Sequence, residues 1–495
     1  MTASPSAVEL SPQPDLSIPP AYALIARAFD VFATHEDRWR KRNRTYHAQL
    51  ERVARFHVPP GKRVLEIGCG SGDLLAALEP GVGVGIDVSV GMVQSARERH
   101  PELRIEQGTG ESLDLGETFD YIVLSDLLPF VHDLQALFDR VAAHSHPRTR
   151  IVINTYNRAW RPIIGAAELL GLKPRKPIRN WVSLEDVVNL LGLAGFEVLT
   201  TSSRVLFPKQ IPLLTIFLNG FVANLWPFNG LGLMHWIVAR PQAVGRGEES
   251  VTVVCPCRNE SGHVAELVRR LPRFGSALEV VWVEGNSTDD TRAVIEQVIA
   301  AHPELDMRLV VQSGKGKGDA VRAGFAEARN DVLMILDGDL SVLPEDLPKF
   351  YRVLVEGRGE FINGSRLVYD MEPGSMRFLN VLGNKVFSRL FKAVTGQHVK
   401  DTLCGTKVLR RSDYEQVAEG RAYFGDFDPF GDFDLLFGAS RLGLKIVDLP
   451  VRYHPRTYGT TNISRFRHGW LLLRMTVFAF WKFRVAIFKP APTRL

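Results

Sequence analysis

Two long runs of the chain alternate short apolar segments with stretches in which apolar residues recur every three or four positions. In the first run, strands are expected at 63–67, 83–87, 121–125 and 150–154, separated by helical stretches such as 91–99 and 134–143. In the second, strands are expected at 252–255, 280–283, 308–311 and 332–336, with helices at 264–270 and 290–301. Each run predicts a parallel sheet covered by helices, so the fold class expected is α/β throughout. Ahead of the first run, Leu24, Ala28, Phe29 and Phe32 sit on helical spacing, and 21–56 reads as helix. Ser183 suits the start of a helix that Gly195 stops, although it matches a capping box poorly. Strands at 197–206 and 233–239 close the first unit.

At 495 residues the chain exceeds what one core supports, since cores stop growing near ~250–300 residues. The division expected is a disordered start at 1–20, a domain at 21–242, a linker at 243–250, a domain at 251–465 and a C-terminal segment at 466–495. The net charge is only +5 but unevenly placed, because no Asp or Glu follows Asp448 while Arg and Lys recur to the end. That bias favours anionic partners, either lipid headgroups or a diphosphate. Residues 1–20 lack the basic and apolar regions of a secretory signal, and four cysteines form neither a disulfide framework nor a zinc spacing. A cytoplasmic setting is expected.

Three segments invite contact with a membrane surface. Residues 211–228 are apolar and uncharged, long enough to span a bilayer, yet they lie between two strands of one expected sheet. A lid over the first site and an in-plane insertion both remain open for them. Residues 470–488 are strongly apolar but carry Arg474, Lys482 and Arg484. Each charge at mid-bilayer costs roughly 2.5–3.5 kcal/mol, against about 0.3–0.6 gained per large apolar residue, so an in-plane amphipathic helix is expected over a span. Residues 376–400 mix apolar and basic positions and suggest another surface helix, with core packing as the alternative.

The first strand runs into Glu66-Ile-Gly-Cys-Gly-Ser-Gly72, whose glycines Gly68, Gly70 and Gly72 let backbone approach a nucleoside at the carboxyl end of a sheet. Asp87 closes the second strand, where a carboxylate can take both ribose hydroxyls. With Gly85-Ile-Asp87 and a fourth strand ending at Asp126, this pattern resembles the class I S-adenosylmethionine-dependent methyltransferases over roughly residues 20–242. The resemblance implies a Rossmann-like sheet, S-adenosylmethionine as cofactor, and Glu66, Gly68, Gly70, Gly72, Asp87 and Asp126 around it. Thr109 stands where such enzymes often carry an acid for the adenine amine. No Asn-Pro-Pro-Tyr type motif occurs, so nucleic acid is not an expected partner. Methyl transfer to oxygen would want a base, for which His132 and Tyr156 are candidates beside a purely structural role.

The second sheet's Asp337-Gly-Asp339 follows an apolar strand, and its two carboxylates offer hard oxygens for Mg²⁺ or Mn²⁺. Its context is Cys255-Pro-Cys-Arg-Asn-Glu260, Glu284-Gly-Asn286, Lys315-Gly-Lys-Gly-Asp319, Gly364-Ser-Arg366, Asp401-Thr-Leu-Cys-Gly405 and Arg456-Thr-Tyr458. In that order the motifs resemble family 2 glycosyltransferases of the GT-A fold, specifically the dolichol- or polyprenyl-phosphate sugar transferases. The resemblance implies a nucleotide-sugar donor bordered by Pro256, Glu260, Glu284, Lys317 and Asp319, with Asp337 and Asp339 as metal ligands and catalytic carboxylates. Arg366 and Arg456 then clamp phosphates or form structural ion pairs. A lipid-phosphate acceptor needs no base; a glycan hydroxyl does, and Asp432 lies where hydroxyl-using relatives often carry theirs. The expectation is a peripheral or monotopic bifunctional enzyme at the inner membrane face. Two alternatives stay open: transfer to a saccharide hydroxyl, and a first domain that only senses cofactor or docks. Oligomeric state is not legible.

Overall fold

The protein is described here by a computed structural model covering residues 22–171, 180–208, 211, 213–225, 228–242, 245, 247–369, 378–423, 432–454, 458 and 465–485. Within these, the side chains of 216, 224, 229, 378–382, 432–433, 465–469 and 471–472 are left out.

Seven strands form the first sheet: β1 (Arg63–Ile67), β2 (Val82–Asp87), β3 (Arg104–Gln107), β4 (Phe119–Ser125), β5 (Ser145–Tyr156), β6 (Phe196–Arg204) and β7 (Met234–Pro241). Their order is β3-β2-β1-β4-β5-β7-β6, parallel except for β7. The second sheet holds β8 (Val251–Cys257), β9 (Leu278–Glu284), β10 (Asp306–Val311), β11 (Val332–Ile335), β12 (Phe361–Ser365), β13 (Lys407–Arg410) and β14 (Ile446–Pro450). Its order is β10-β9-β8-β11-β13-β12-β14, with β13 antiparallel. Strand order reverses between β1 and β4 in one sheet and between β8 and β11 in the other. In such sheets the crevice at the carboxyl ends of those strands is where ligands bind. Central strands such as β8 and β11 are buried on both faces, hence their nearly continuous apolar runs.

Several local expectations change. The helix expected over 21–56 is three helices, Ala23–Ala33, Glu36–Arg42 and Arg44–His57, turning at Thr34–His35 and Asn43. The turns fold the segment over the first sheet's crevice. Ser183 makes a complete capping box, with Asp186 filling the place usually held by Glu or Gln. In 211–228, where no span was expected, a short helix, Leu214–Gly220, gives way to 3₁₀ turns. Among the described residues no helix is long and apolar enough to cross a membrane.

The charges of the last helix, Arg465–Phe480, and the π turn after it explain why it is not a span. Arg474 is exposed, and Lys482 lies over the rings of Phe478 and Trp481. Arg484 donates to Val394 O (3.0 Å) and Ala393 O (2.8 Å), closing the carboxyl end of the helix Phe378–Thr395. That helix packs one side into the core, the alternative weighed above, and exposes the other. Phe391 and Val394 enter the core, while Lys385, Val386, Arg389 and Lys392 face out.

A buried ionic cluster joins the sheets. Arg150 of β5 donates from Nη2 to both oxygens of Glu360 (2.7 and 2.8 Å), and Arg240 of β7 pairs with the same carboxylate at 3.1 Å. Arg150 Nε reaches Gly443 O (2.8 Å), and Lys445 bridges to Glu197 (2.6 Å). Burial pushes the Glu360 pKa up, but the two guanidiniums outweigh it and hold the carboxyl below its ordinary range. Arg150 stands at the amino side of β5's parallel stretch, and Glu360 and Lys445 immediately precede β12 and β14. The sheets therefore meet at their amino edges, and their carboxyl edges point away from this contact.

Candidate active sites

The glycine turn after β1 opens into a cavity of about 390 Å³. Gly70 has φ of +54°, and a Cβ there would meet nothing, so the backbone edge stays open to a ligand. Asp87 is held by two backbone donors, Gly70 N (2.9 Å) and Ser89 N (3.0 Å), which fix its carboxylate at the cavity wall. Glu66 also lines the cavity, and its buried Oε2 has no hydrogen-bond partner. Burial, and then the neighbouring Asp87, push its pKa well up. An orphaned oxygen beside a glycine turn fits a cofactor that brings its own donors, as S-adenosylmethionine would.

Sequence reasoning missed the roof. Its helices are clasped to the loops at the carboxyl edge: Asp30 accepts from Ser89 Oγ (2.6 Å) and Gly91 N (3.0 Å), Glu36 from Ser71 Oγ (2.7 Å), and Arg40 pairs with Asp73 (2.5 Å). Tyr22 donates to Glu111, which also accepts from the backbone of His132 and Asp133. Thr109 is a cap, accepting from Ser112 N at 3.3 Å. No local motif marks these partners, because the roof is far from the loops in sequence.

Asp126 sits at the end of β4 with φ of +51°, rare for a residue with a side chain. It accepts from Tyr46 OH of the roof (2.5 Å) and Asn154 Nδ2 (2.9 Å), with Tyr156 OH 3.4 Å from Tyr46 OH. Tyr46, Asp126 and Tyr156 all line the cavity, whereas His132 is exposed and does not. Burial and the Asp126 charge push both tyrosines far above their usual pKa, so each stays a hydroxyl donor rather than a base.

In the second sheet Asp337 and Asp339 follow β11 at the carboxyl edge. Lys317 Nζ pairs with Asp337 Oδ1 at 2.6 Å, and Asp339 accepts from Ser341 N at 3.0 Å. Burial works to raise the Asp337 pKa, but Lys317, the buried Lys407 and Arg366 together lower it, so the carboxylate is anionic. Gly405 presses on this pair: a Cβ there would collide with both Asp337 Oδ2 and Lys317 Nζ. Gly405 closes the Asp401-Thr-Leu-Cys-Gly405 motif, but Lys407 does not stand out in sequence; the antiparallel β13 brings both beside β11. Two hard carboxylates two positions apart fit a hard divalent cation.

The remaining candidates lie along the same edge. Glu284 accepts from Ser287 N (2.5 Å), Glu260 pairs with His263 (2.9 Å), Pro256 is half-buried, and Asp319 accepts from Gly314 N (3.0 Å). Arg366 forms a two-point pair with Asp401 (2.7 and 2.8 Å) and lies over Tyr453, so its cation reaches Asp337 as a field. Arg456 lies outside the described residues, but Tyr458, two positions on, comes within 3.0 Å of Ser261 Oγ. Asp432 opens the helix Asp432–Arg441, and nothing is described of its side chain.

Comparison with known proteins agrees with this partition. Residues 252–418 match the model of glycosyl transferase family 2, and residues 38–201 match a methyltransferase domain. The chain is similar to glycosyltransferase AglJ of Haloferax volcanii, 31% identical over 226 residues, covering 45% of this chain and 70% of that protein. It is also similar to an undecaprenyl-phosphate 4-deoxy-4-formamido-L-arabinose transferase of Sodalis glossinidius, 23% identical over 226 residues, 44% of this chain and 63% of that one. Among solved structures, a possible histamine N-methyltransferase of Thermotoga maritima covers 44% of this chain and 99% of its own at 21% identity and TM-score 0.35.

Proposed function

The chain belongs to glycosyl transferase family 2 and carries a methyltransferase domain on the same polypeptide, and from that premise we propose a division of labour. The second domain transfers a sugar, with inversion, from a nucleotide-sugar to a polyprenyl phosphate at a membrane surface. The first methylates with S-adenosylmethionine. The observation that carries the glycosyl half is the Lys317–Asp337 pair seated under Gly405 at the end of β11. The undecaprenyl-phosphate acceptor in one relative's name supports the lipid phosphate.

In this reading Asp337 and Asp339 hold a Mg²⁺ or Mn²⁺ ion, which supplies Lewis-acid charge on the diphosphate. Pro256, Glu260, Glu284 and Asp319 border the nucleotide. Lys317 neutralises Asp337 until the donor arrives and then faces the phosphates. Arg366 and Arg456 add positive field where the nucleoside diphosphate leaves. The acceptor's phosphate oxygen, already anionic, bonds the anomeric carbon as the bond to the diphosphate oxygen breaks, so no protein base is required. In the first domain Glu66, Gly68, Gly70, Gly72 and Asp87 bind the cofactor. Asp126, steered by Tyr46 and Asn154, receives the acceptor's proton.

The test uses labelled nucleotide-sugars, a divalent metal and undecaprenyl phosphate in detergent, with label entering organic solvent as the readout. Transfer that disappears in Asp337→Ala and Asp339→Ala but survives Asp432→Ala is expected. A large rate loss in Asp432→Ala, with label following a glycan instead, would replace the lipid phosphate by a hydroxyl acceptor.

A further inference from the structure

The last helix of the glycosyltransferase domain packs Met475, Ala479 and Phe483 into the core, yet its other side is also apolar. Trp470, Leu473 and Val477 recur on one helical face and are exposed, Trp470 and Val477 by more than half. In the methyltransferase domain Leu213, Phe217 and Leu225, each more than half exposed, form a second apolar surface. The two are neighbours. The Phe221 and Phe480 rings lie 6.0 Å apart, and Gly220 abuts Val485. A contiguous exposed apolar surface of this kind marks a contact site.

Charge says what it contacts. No Asp or Glu occurs in 205–247, in 378–400 or after 448, the three stretches that supply this face and the helix beside it. Lys385, Arg389, Lys392 and Arg474 are exposed on them. Two copies of such a surface repel each other, whereas anionic headgroups over an apolar interior match both its charge and its apolar side chains. We infer that one membrane-docking face, built jointly from both domains, seats the protein on an anionic bilayer. The inference rests on the membrane-surface reading above and adds that the methyltransferase domain supplies half of the contact.

The test is cosedimentation of the full chain with phosphatidylcholine vesicles, with and without phosphatidylglycerol and free of polyprenyl phosphate. Leu213→Glu/Phe217→Glu and Trp470→Glu/Val477→Glu form the two variants, with unchanged melting temperature as the fold control. Binding that needs phosphatidylglycerol, weakens with salt and falls more than tenfold in each variant is expected. Wild-type binding by the 213/217 variant would overturn the joint face. A dimer that both variants abolish, with no vesicle binding, would assign the surface to self-association. The detergent assay with soluble acceptor is independent of docking. Transfer retained there by both variants leaves the lipid-phosphate reading standing even if the face fails, and wild-type transfer absent there removes that reading whatever the vesicles show.

Discussion

The two sheets share a parallel core and a switch point in the same place, yet their crevices differ in kind. The methyltransferase crevice is a partly open cavity, roofed by helices that precede β1 and walled by Trp39, Phe130 and Trp160. The glycosyltransferase edge is polar, with carboxylates and lysines held by loops and by β13. The difference suits the two chemistries proposed. Attack on a sulfonium methyl is favoured by excluding water, whereas a departing diphosphate needs fixed positive charge. Because the sheets join at their amino edges, each crevice is free to change without the other.

That independence can be broken deliberately. The largest effect expected is in Asp337→Ala and Asp339→Ala, where glycosyl transfer falls by about a thousandfold or more, as when a principal electrostatic group is lost. Methyl transfer stays at the wild-type rate in the same preparation; a parallel loss would mean the two sites are coupled. Gly405→Ala gives a smaller loss in the same assay by displacing the Lys317–Asp337 pair.

Next is the joint between the domains. Glu360→Ala leaves Arg150 and Arg240 buried without their shared partner, a change that typically costs about 3–5 kcal/mol. Calorimetry is expected to show one transition for the wild type and two for the variant as the domains lose their lock. An unchanged thermogram would mean the cluster contributes nothing to their association.

Asp87→Ala sharpens the first site, with cofactor affinity down about 10–100-fold by calorimetric titration, for one or two lost hydrogen bonds to a charged group. Sugar transfer is unaffected.

The smallest effect is a pH dependence at the junction. His57 is half-buried, and desolvation first, then Arg204 and Arg484, lowers its pKa to about 3. The unfolded chain takes up that proton below pH ~6.5 while the folded chain does not, so stability falls on acidification through that window. Between pH 7 and 5 the loss is about 2 kcal/mol, read as a drop in urea midpoint that His57→Phe removes. An equal slope in the variant would assign the acid sensitivity to other groups.

Much of this was legible in the residue order. Strands β1, β2 and β4 to β11, the glycine turn, Asp87 and Asp337-Gly-Asp339 are short-range features, in which strand patterning and loop chemistry lie within a few residues of each other. Strands β3 and β12 to β14 were not expected, nor was the antiparallel course of β7 and β13 in sheets read as parallel. Tyr46 and Lys407 were not legible, because each acts only on a partner far along the chain: Tyr46 on Asp126, Lys407 on Asp337. Arg484 shows the same limit from the other side. As sequence it is a charge in an apolar helix; in the fold it closes a neighbouring helix.

Local pattern alone thus determined two α/β units, most of their strands along the chain and the loops that carry the chemistry. Spacing of apolar residues and the needs of glycine and carboxylate are decided within a few residues. The tertiary structure alone decided which crevice is roofed, which edges meet through Glu360, and that 211–228 and the last helix present one surface. Those outcomes depend on side chains that only long-range packing brings together.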